Sequence, residues 1–439
     1  MDTSTAIEID AARSRNTYLM AMGATTIVLA SALPMLIRFG AAESYQTRAG
    51  AQASDYATGL IWAALIAASI LIWPVRRAMK MPLLAAWLFR VFIAMFASLP
   101  YFEHYYVDAY LYFANRNVTG SLWEIGAGNG TRNLTMFMEL MRRFSPDSFH
   151  AMNLNFAMLG LVGVYLFYKA SEAFLGFSNV WIFYLLAFEP SLTFWTSSIG
   201  KEAAMLLAVG LYSYCTMMWW RSRRVTNLLG VAAAVILAAL IRPWMAAILT
   251  LPIIILGFRA QRRMTTRMVT IALTVVVVWL AYPFLLSMFY LEAAQDLTEQ
   301  IASVANRLNT GDSAGLPLVL YGPADILRYA PIGMFAALFR PLPGEVLNPF
   351  GMLAGVENLF LLGLFARALI RGTLRDWSSP ILGWAATIVL GWAFIYAFVS
   401  SQNLGTADRY RTQIFPILIG LLLYLGRRHA RIDAPPFRA

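Results

Sequence analysis

Residues 104–113 read HYYVDAYLYF. One carboxylate, Asp108, stands among five aromatic rings, just after an apolar run that ends at Pro100. Glu103 precedes it by five positions. A carboxylate in an aromatic cleft can take a proton from a substrate hydroxyl, and rings can stack on a sugar. The plainer reading is a solvated acid beside an interfacial belt of aromatics.

Other charged residues recur beside apolar runs. The stretch EPSLTFWTSSIGKEAAM (189–205) puts Ser197, Ser198 and Gly200 before Lys201 and Glu202. Free N–H groups at a helix start attract anions, and Lys201 would strengthen such a cradle. A capped helix start with a local ion pair fits equally well. ALIRPWMAAIL sets Arg242 between two apolar runs with no acid nearby in sequence, placed either to snorkel or to bind an anion. Arg328, Arg340 and Glu345 fall in a proline-broken segment, and Glu357 follows in GVENLF. A glutamate within an apolar helix needs a distant partner, and an arginine is expected for it; Arg90, in mid-span, is expected to pair with an acid or a headgroup. NLGTADRYRTQIF (403–415) holds Asp408, Arg409 and Arg411, and arginine is suited to bidentate phosphate contacts. Together these residues predict one pocket with an acid near a sugar hydroxyl and cations for a phosphate or diphosphate.

Apolar helices must position them. The 439-residue chain is 59% hydrophobic and only 13% charged, with mean hydropathy +0.62. Soluble chains carry about 25% charged residues. Apolar runs predict spans near 17–39, 58–75, 82–100, 150–168, 179–196, 201–220, 226–241, 243–258, 268–290, 352–370, 380–399 and 412–426. The expected fold is therefore an all-α polytopic integral membrane protein of about twelve transmembrane helices plus re-entrant or interfacial helices. It forms one transmembrane domain over 1–439 with no soluble domain. Two long outer segments, 101–149 and 291–351, interrupt the spans. LTMFMELMRRF in the first reads as a helix along the interface, and the proline-broken part of the second as a re-entrant or interfacial hairpin.

The net charge of +11 does not point to nucleic acid. One set of loops on this map holds 20 Lys/Arg against 6 acids, which makes it the cytoplasmic set and places both termini there. Asp108 and the arginines above then face the outside. Cys215 lies in an apolar run and reads as a packing residue. Three histidines are too scattered for a metal cage, and the three Asn-x-Thr sequons at Asn117, Asn129 and Asn133 read as chance.

Three of these stretches resemble the polyprenyl-phosphate-dependent glycosyltransferases of the GT-C fold, in particular the branch of bacterial polysaccharide (O-antigen-like) polymerases. VDAYLYFA is similar to the acid-containing motif that opens their first outer loop, PSLTFWTSSIGKEA to a signature between two spans, and GTADRYRTQIFPIL to an arginine turn before a late helix. The resemblance implies that Asp108, with Glu103, is the catalytic acid/base. It implies that Lys201, Arg242, Arg328, Arg340, Arg409 and Arg411 bind the donor phosphate, with Glu202, Glu345, Glu357 and Asp408 as supporting acids. Many members carry Asp-Glu or Asp-x-Asp in the first loop where this chain has a lone Asp108, so no metal site is assigned and a divalent cation stays open. The implied partners are a polyprenyl-(di)phosphate-linked sugar donor, a glycan acceptor, the bilayer and envelope polysaccharide assembly proteins, and the implied location is the cytoplasmic membrane. A flippase or transporter of an anionic lipid-linked sugar, an O-antigen-type ligase and a structural assembly subunit are the competing readings.

Overall fold

The computed structural model describes residues 53–105, 107–115, 129–224, 226–260, 318–399 and 402–427, with isolated positions at 268, 301–303 and 306. The predicted spans 17–39 and 268–290 lie outside the described residues, as do Asn117 and most of 291–317. The described residues are helical throughout and contain no strand. Among the described residues, six helical stretches are long and apolar enough to cross a membrane by length and composition, and three shorter apolar helices accompany them.

The chain enters as α1 (Ala53–Ile72) and α2 (Arg77–Phe92), which runs on as a π-helical turn over Ile93–Ala97. Among the described residues of the segment 101–149 are three helices, α3 (Leu99–His104), α4 (Asp108–Ala114) and α5 (Gly130–Arg142). The long α6 (Phe149–Leu175) follows. The predicted span 179–196 is broken in two, α7 (Val180–Ala187) and α8 (Pro190–Trp195). The break falls where the Glu189 side chain caps the Leu192 N–H and Pro190 opens a new helix.

Then come α9 (Lys201–Ser222), α10 (Thr226–Ile241) and α11 (Pro243–Ala260). Pro243 disfavours a helical residue before it, so α10 ends at Ile241 and Arg242 stands at the break. The proline-broken segment is a single helix, α12 (Pro323–Phe339), followed by an irregular turn over 340–348, rather than a hairpin. The rest is α13 (Pro349–Arg371), α14 (Pro380–Val399), α15 (Leu404–Arg411) and α16 (Phe415–Leu425).

Among the described helices, the most extensive contact is α6 against α9. A Cβ on Gly210 would lie 2.7 Å from the Gly163 carbonyl oxygen, so the two backbones touch. Small residues at such a crossing allow close packing where no hydrophobic force separates helix from lipid. Cys215, buried as the sequence implied, packs on α10 at Gly230. Helix α5 does not lie free on the interface. Its Leu134, Met136 and Met138 are buried, and the Asn133 amide donates to the Leu240 carbonyl at 2.7 Å. Asn129 caps the same helix, so both described sequons do structural work.

The helices present two chemically different ends. At one, Arg76 meets Glu172, Arg221 donates to the Ala173 carbonyl, and Arg427 pairs with Asp376. At the other stand Asp108, Glu202, Arg242 and Arg409.

Candidate active site

The starts of α4 and α9, the α10–α11 break and α15 meet at one point. Arg409, in the second turn of α15, donates through NH1 to Asp108 Oδ2 at 2.9 Å and through NH2 to Glu202 Oε2 at 3.0 Å. Its Nε lies 3.0 Å from Glu202 Oε1. Arg242 NH2 donates to the same Oε1 at 2.7 Å. The charges therefore alternate along a chain: Asp108, Arg409, Glu202, Arg242. Glu202 and Arg242 are almost fully buried, whereas the Asp108 side chain is 47% exposed. Burial alone would lower the Arg409 guanidinium, but the Glu202 and Asp108 carboxylates outweigh it and hold it well above its ordinary value.

Asp108 and Arg409 open onto a cleft of ≈ 600 Å³. Tyr101, Tyr105, Phe194, Trp195 and Phe350 form its aromatic wall. Tyr101 packs edge-on against Phe194, Trp195 and Phe350 with ring centroids 4.9–5.7 Å away. Burial pushes the Tyr101 hydroxyl up to about 12, so it remains a protonated donor. The Asn348 amide donates to the Tyr105 hydroxyl at 3.0 Å and joins the turn after α12 to the chain just after α3. The remaining walls include the apolar side chains Ile93, Val346, Leu353 and Ala354.

The expected residues separate into distinct groups. Asp108, Asp408 and Arg409 line the cleft. Glu202 holds Arg409 from behind. Arg242 neither snorkels nor meets an open anion site: it is buried, paired with Glu202, and stacked 4.1 Å from the Tyr410 ring centroid. Lys201 donates to Thr131 Oγ1 at 2.9 Å. The anion cradle expected ahead of Lys201 is turned inward. Ser197 is buried, the Ile199 N–H is taken by Asn153, and the Glu202 carboxylate itself lies 3.0 Å from where a Gly200 Cβ would stand. Glu103 falls within α3, and its side chain lies outside the described residues.

The expectations for five residues change with the tertiary structure. Arg411 is only 3% exposed and acts as a clamp. It pairs with Asp408 at 2.6 Å and donates to the Leu338 and Arg340 carbonyls at the end of α12. Those carbonyls are free to accept because a helix leaves its last C=O groups unbonded. Arg340 is held by Glu345 at 2.7 Å within its own turn, and Arg328 is 81% exposed on α12 beside Asp325; neither lines the cleft. Glu357 meets Ser191, accepting from its N–H and its hydroxyl, and also hydrogen-bonds the Glu189 carboxyl, instead of reaching an arginine. Arg90 is fully buried and pairs with no acid among the described residues: its NH1 donates to Thr196 O, Thr196 Oγ1 and Ser197 Oγ, bracing the loop that leads into α9.

Sequence reasoning passed over Tyr101, Trp195, Asn348 and Phe350. Of the rings around Asp108, Tyr110 and Phe113 pack on Phe149 and away from the cleft. Trp195 was within reach: it sits in the quoted 189–205 stretch, and its indole N–H donates to Asp408 at 2.9 Å while Arg409 lies over its ring. Among the described residues, no group of three His, Cys, Asp or Glu could hold a metal ion. Comparison with family models, curated proteins and solved structures found no match to the chain.

Proposed function

We propose that the protein is a membrane glycosyltransferase that uses a polyprenyl-(di)phosphate-linked sugar and extends or polymerises a cell-surface polysaccharide. One observation carries the reading: a half-exposed acid and an arginine share the edge of an aromatic cleft whose remaining lining joins apolar side chains such as Ile93, Leu353 and Ala354 to the polar Ser191, Asn348, Asn403 and Thr406. An amphiphile with a sugar, a phosphate and a hydrocarbon tail matches those three surfaces. The tail would lie along Ile93, Leu353 and Ala354, and the sugar against Tyr101 and Trp195.

In this reading Arg409 is the phosphate ligand. Glu202 contacts its Nε and NH2 side, so NH1 is the edge turned toward Asp108 and the cleft. A donor phosphate would take NH1 in place of Asp108. The freed Asp108 carboxylate would then accept the proton of the acceptor hydroxyl as that oxygen attacks the anomeric carbon. The carbon–oxygen bond to the phosphate breaks, and its electron pair stays on the phosphate beside Arg409. Proton removal of this kind is typically worth about 10²–10⁴-fold, and fixed charge at the leaving group is often the larger effect. By the positive-inside rule, the basic end faces the cytoplasm and the cleft faces the exterior or periplasm, in the cytoplasmic membrane.

The test is glycan analysis of cells carrying Asp108→Asn beside a full deletion. Both should lose long polymer and accumulate lipid-linked repeats. Accumulation of incomplete repeats in both would make the reaction a single-sugar transfer within the same class. Normal product from the Asn variant, with product lost in the deletion, would remove Asp108 as base and favour transport of a lipid-linked sugar.

A further inference from the structure

A second cavity, of ≈ 550 Å³, lies at the opposite end of the helices. Arg76 from the α1–α2 loop, Lys169 and Glu172 from α6, Ser178 from the α6–α7 loop, and Tyr214 and Arg221 from α9 all line it. Among the described residues, three cations drawn from three places in the chain thus converge on one space with a single acid. Glu172, with only 10% of its side chain exposed, pairs with Lys169 and accepts from the Tyr168 hydroxyl at 2.8 Å. It is therefore fixed and cannot neutralise all three. Arg76 reaches it only at 3.4 Å with 68% of its side chain exposed, and Arg221 makes one 3.3 Å contact to a backbone carbonyl. Among the described residues, no other acid pairs with either arginine, and most of their donors face the cavity or solvent.

We propose that this cavity binds the phosphate of an anionic lipid headgroup. The chemistry is that of a phosphate monoanion: two guanidinium groups and an ammonium around it, with the Ser178 and Tyr214 hydroxyls in the wall. Arginine and lysine suit such a group through charge-assisted bonds. The rim argues for the lipid source. Phe177 (59% exposed) lines the cavity, Trp181 (74% exposed) follows four positions on in the first turn of α7, and exposed aromatics of this kind sit at the level of the headgroups. This inference does not rest on the glycosyltransferase reading, because neither Asp108 nor Arg409 takes part.

The test is native mass spectrometry of the detergent-purified full chain titrated with phosphatidylglycerol, with phosphatidylcholine and, separately, with inorganic phosphate. The wild type should retain phosphatidylglycerol over phosphatidylcholine. R76Q/R221Q should lose roughly thirtyfold in that affinity, as expected for two cations at an anionic headgroup. R76K/R221K should recover most of it. The control is R223Q/R224Q, which removes the same charge from the same end outside the cavity and should bind as the wild type does. Equal loss in both double glutamine variants would mean diffuse attraction and overturn the proposal, as would no lipid preference in the wild type. If inorganic phosphate alone protects the wild type and not R76Q/R221Q, the site stands as a phosphate site but its lipid source is overturned.

Discussion

At the cleft end, Arg242, Arg409 and Arg411 are each in contact with a carboxylate, and Arg242 and Arg411 are almost fully buried. At the opposite end, Arg76, Arg221, Arg223 and Arg224 are exposed, with single contacts or an aromatic ring for company. The two ends carry arginine for different reasons. A buried guanidinium costs several kcal/mol to desolvate, so it persists only where other elements bring it a partner. An exposed one needs only to be on the correct side of the membrane. The cleft-end arginines are therefore placed by the fold, and the fold depends on them in return.

That contrast can be tested by removing charges one at a time. The largest effect is expected for Glu202→Gln, which leaves two arginines sharing a neutral amide. Removing one partner of a buried pair costs about 3–5 kcal/mol, so the melting temperature in detergent should fall steeply. An unchanged melting curve would mean that the two arginines find other partners and that the alternating chain is dispensable.

Next is the pair Arg411→Met and Arg409→Met. They lie two positions apart on α15 but play different parts. Loss of Arg411 should cost about 3 kcal/mol and expose the 340–348 turn to protease, because both α12 carbonyls and Asp408 lose their donor. Loss of Arg409, 23% exposed at the cleft, should cost less stability and act mainly on donor binding. Equal destabilisation by both would erase the distinction between clamp and ligand.

A smaller effect is expected at the opposite end. Burial raises the Asp376 carboxyl, but the Thr373 N–H, the Thr373 hydroxyl and Arg427 outweigh it and hold the group well below the usual carboxylate range. A depressed carboxyl contributes stability that is present at neutral pH and is lost as pH falls below that range. Asp376→Asn should cost about 1–2 kcal/mol near pH 7 and should flatten the decline in melting temperature toward about pH 3. Parallel pH curves for variant and wild type would contradict this. The smallest effect belongs to Arg328→Gln, within about 0.5 kcal/mol and without loss of product, since that side chain is exposed off the cleft. A clear loss of product would return Arg328 to the site.

Much of the helix map was legible in the residues because apolar runs of this length have few other uses. The α10–α11 break was legible because Pro243 follows Arg242, and the basic loops because their arginines recur at helix ends. The break at Glu189 was not, since a window of apolar residues does not register one capping carboxylate. Nor was α12, where Pro331 reads as an interruption yet is accommodated inside the helix. Of the site, Asp108 and Arg409 were both named from their surroundings, and the structure brings them together across 301 positions.

The sequence by itself determined that the chain is helical, that its helices are apolar enough for a bilayer, and which ends carry the positive loops. Composition and periodicity carry that information locally, residue by residue. Only the tertiary structure decided which charges face a cleft and which are structural. Arg409 and Arg411 have the same chemistry and nearly the same neighbours in sequence. What separates them is contact with α4 and α9 on one side and with the end of α12 on the other. Such contacts span tens to hundreds of residues and leave no period in the chain.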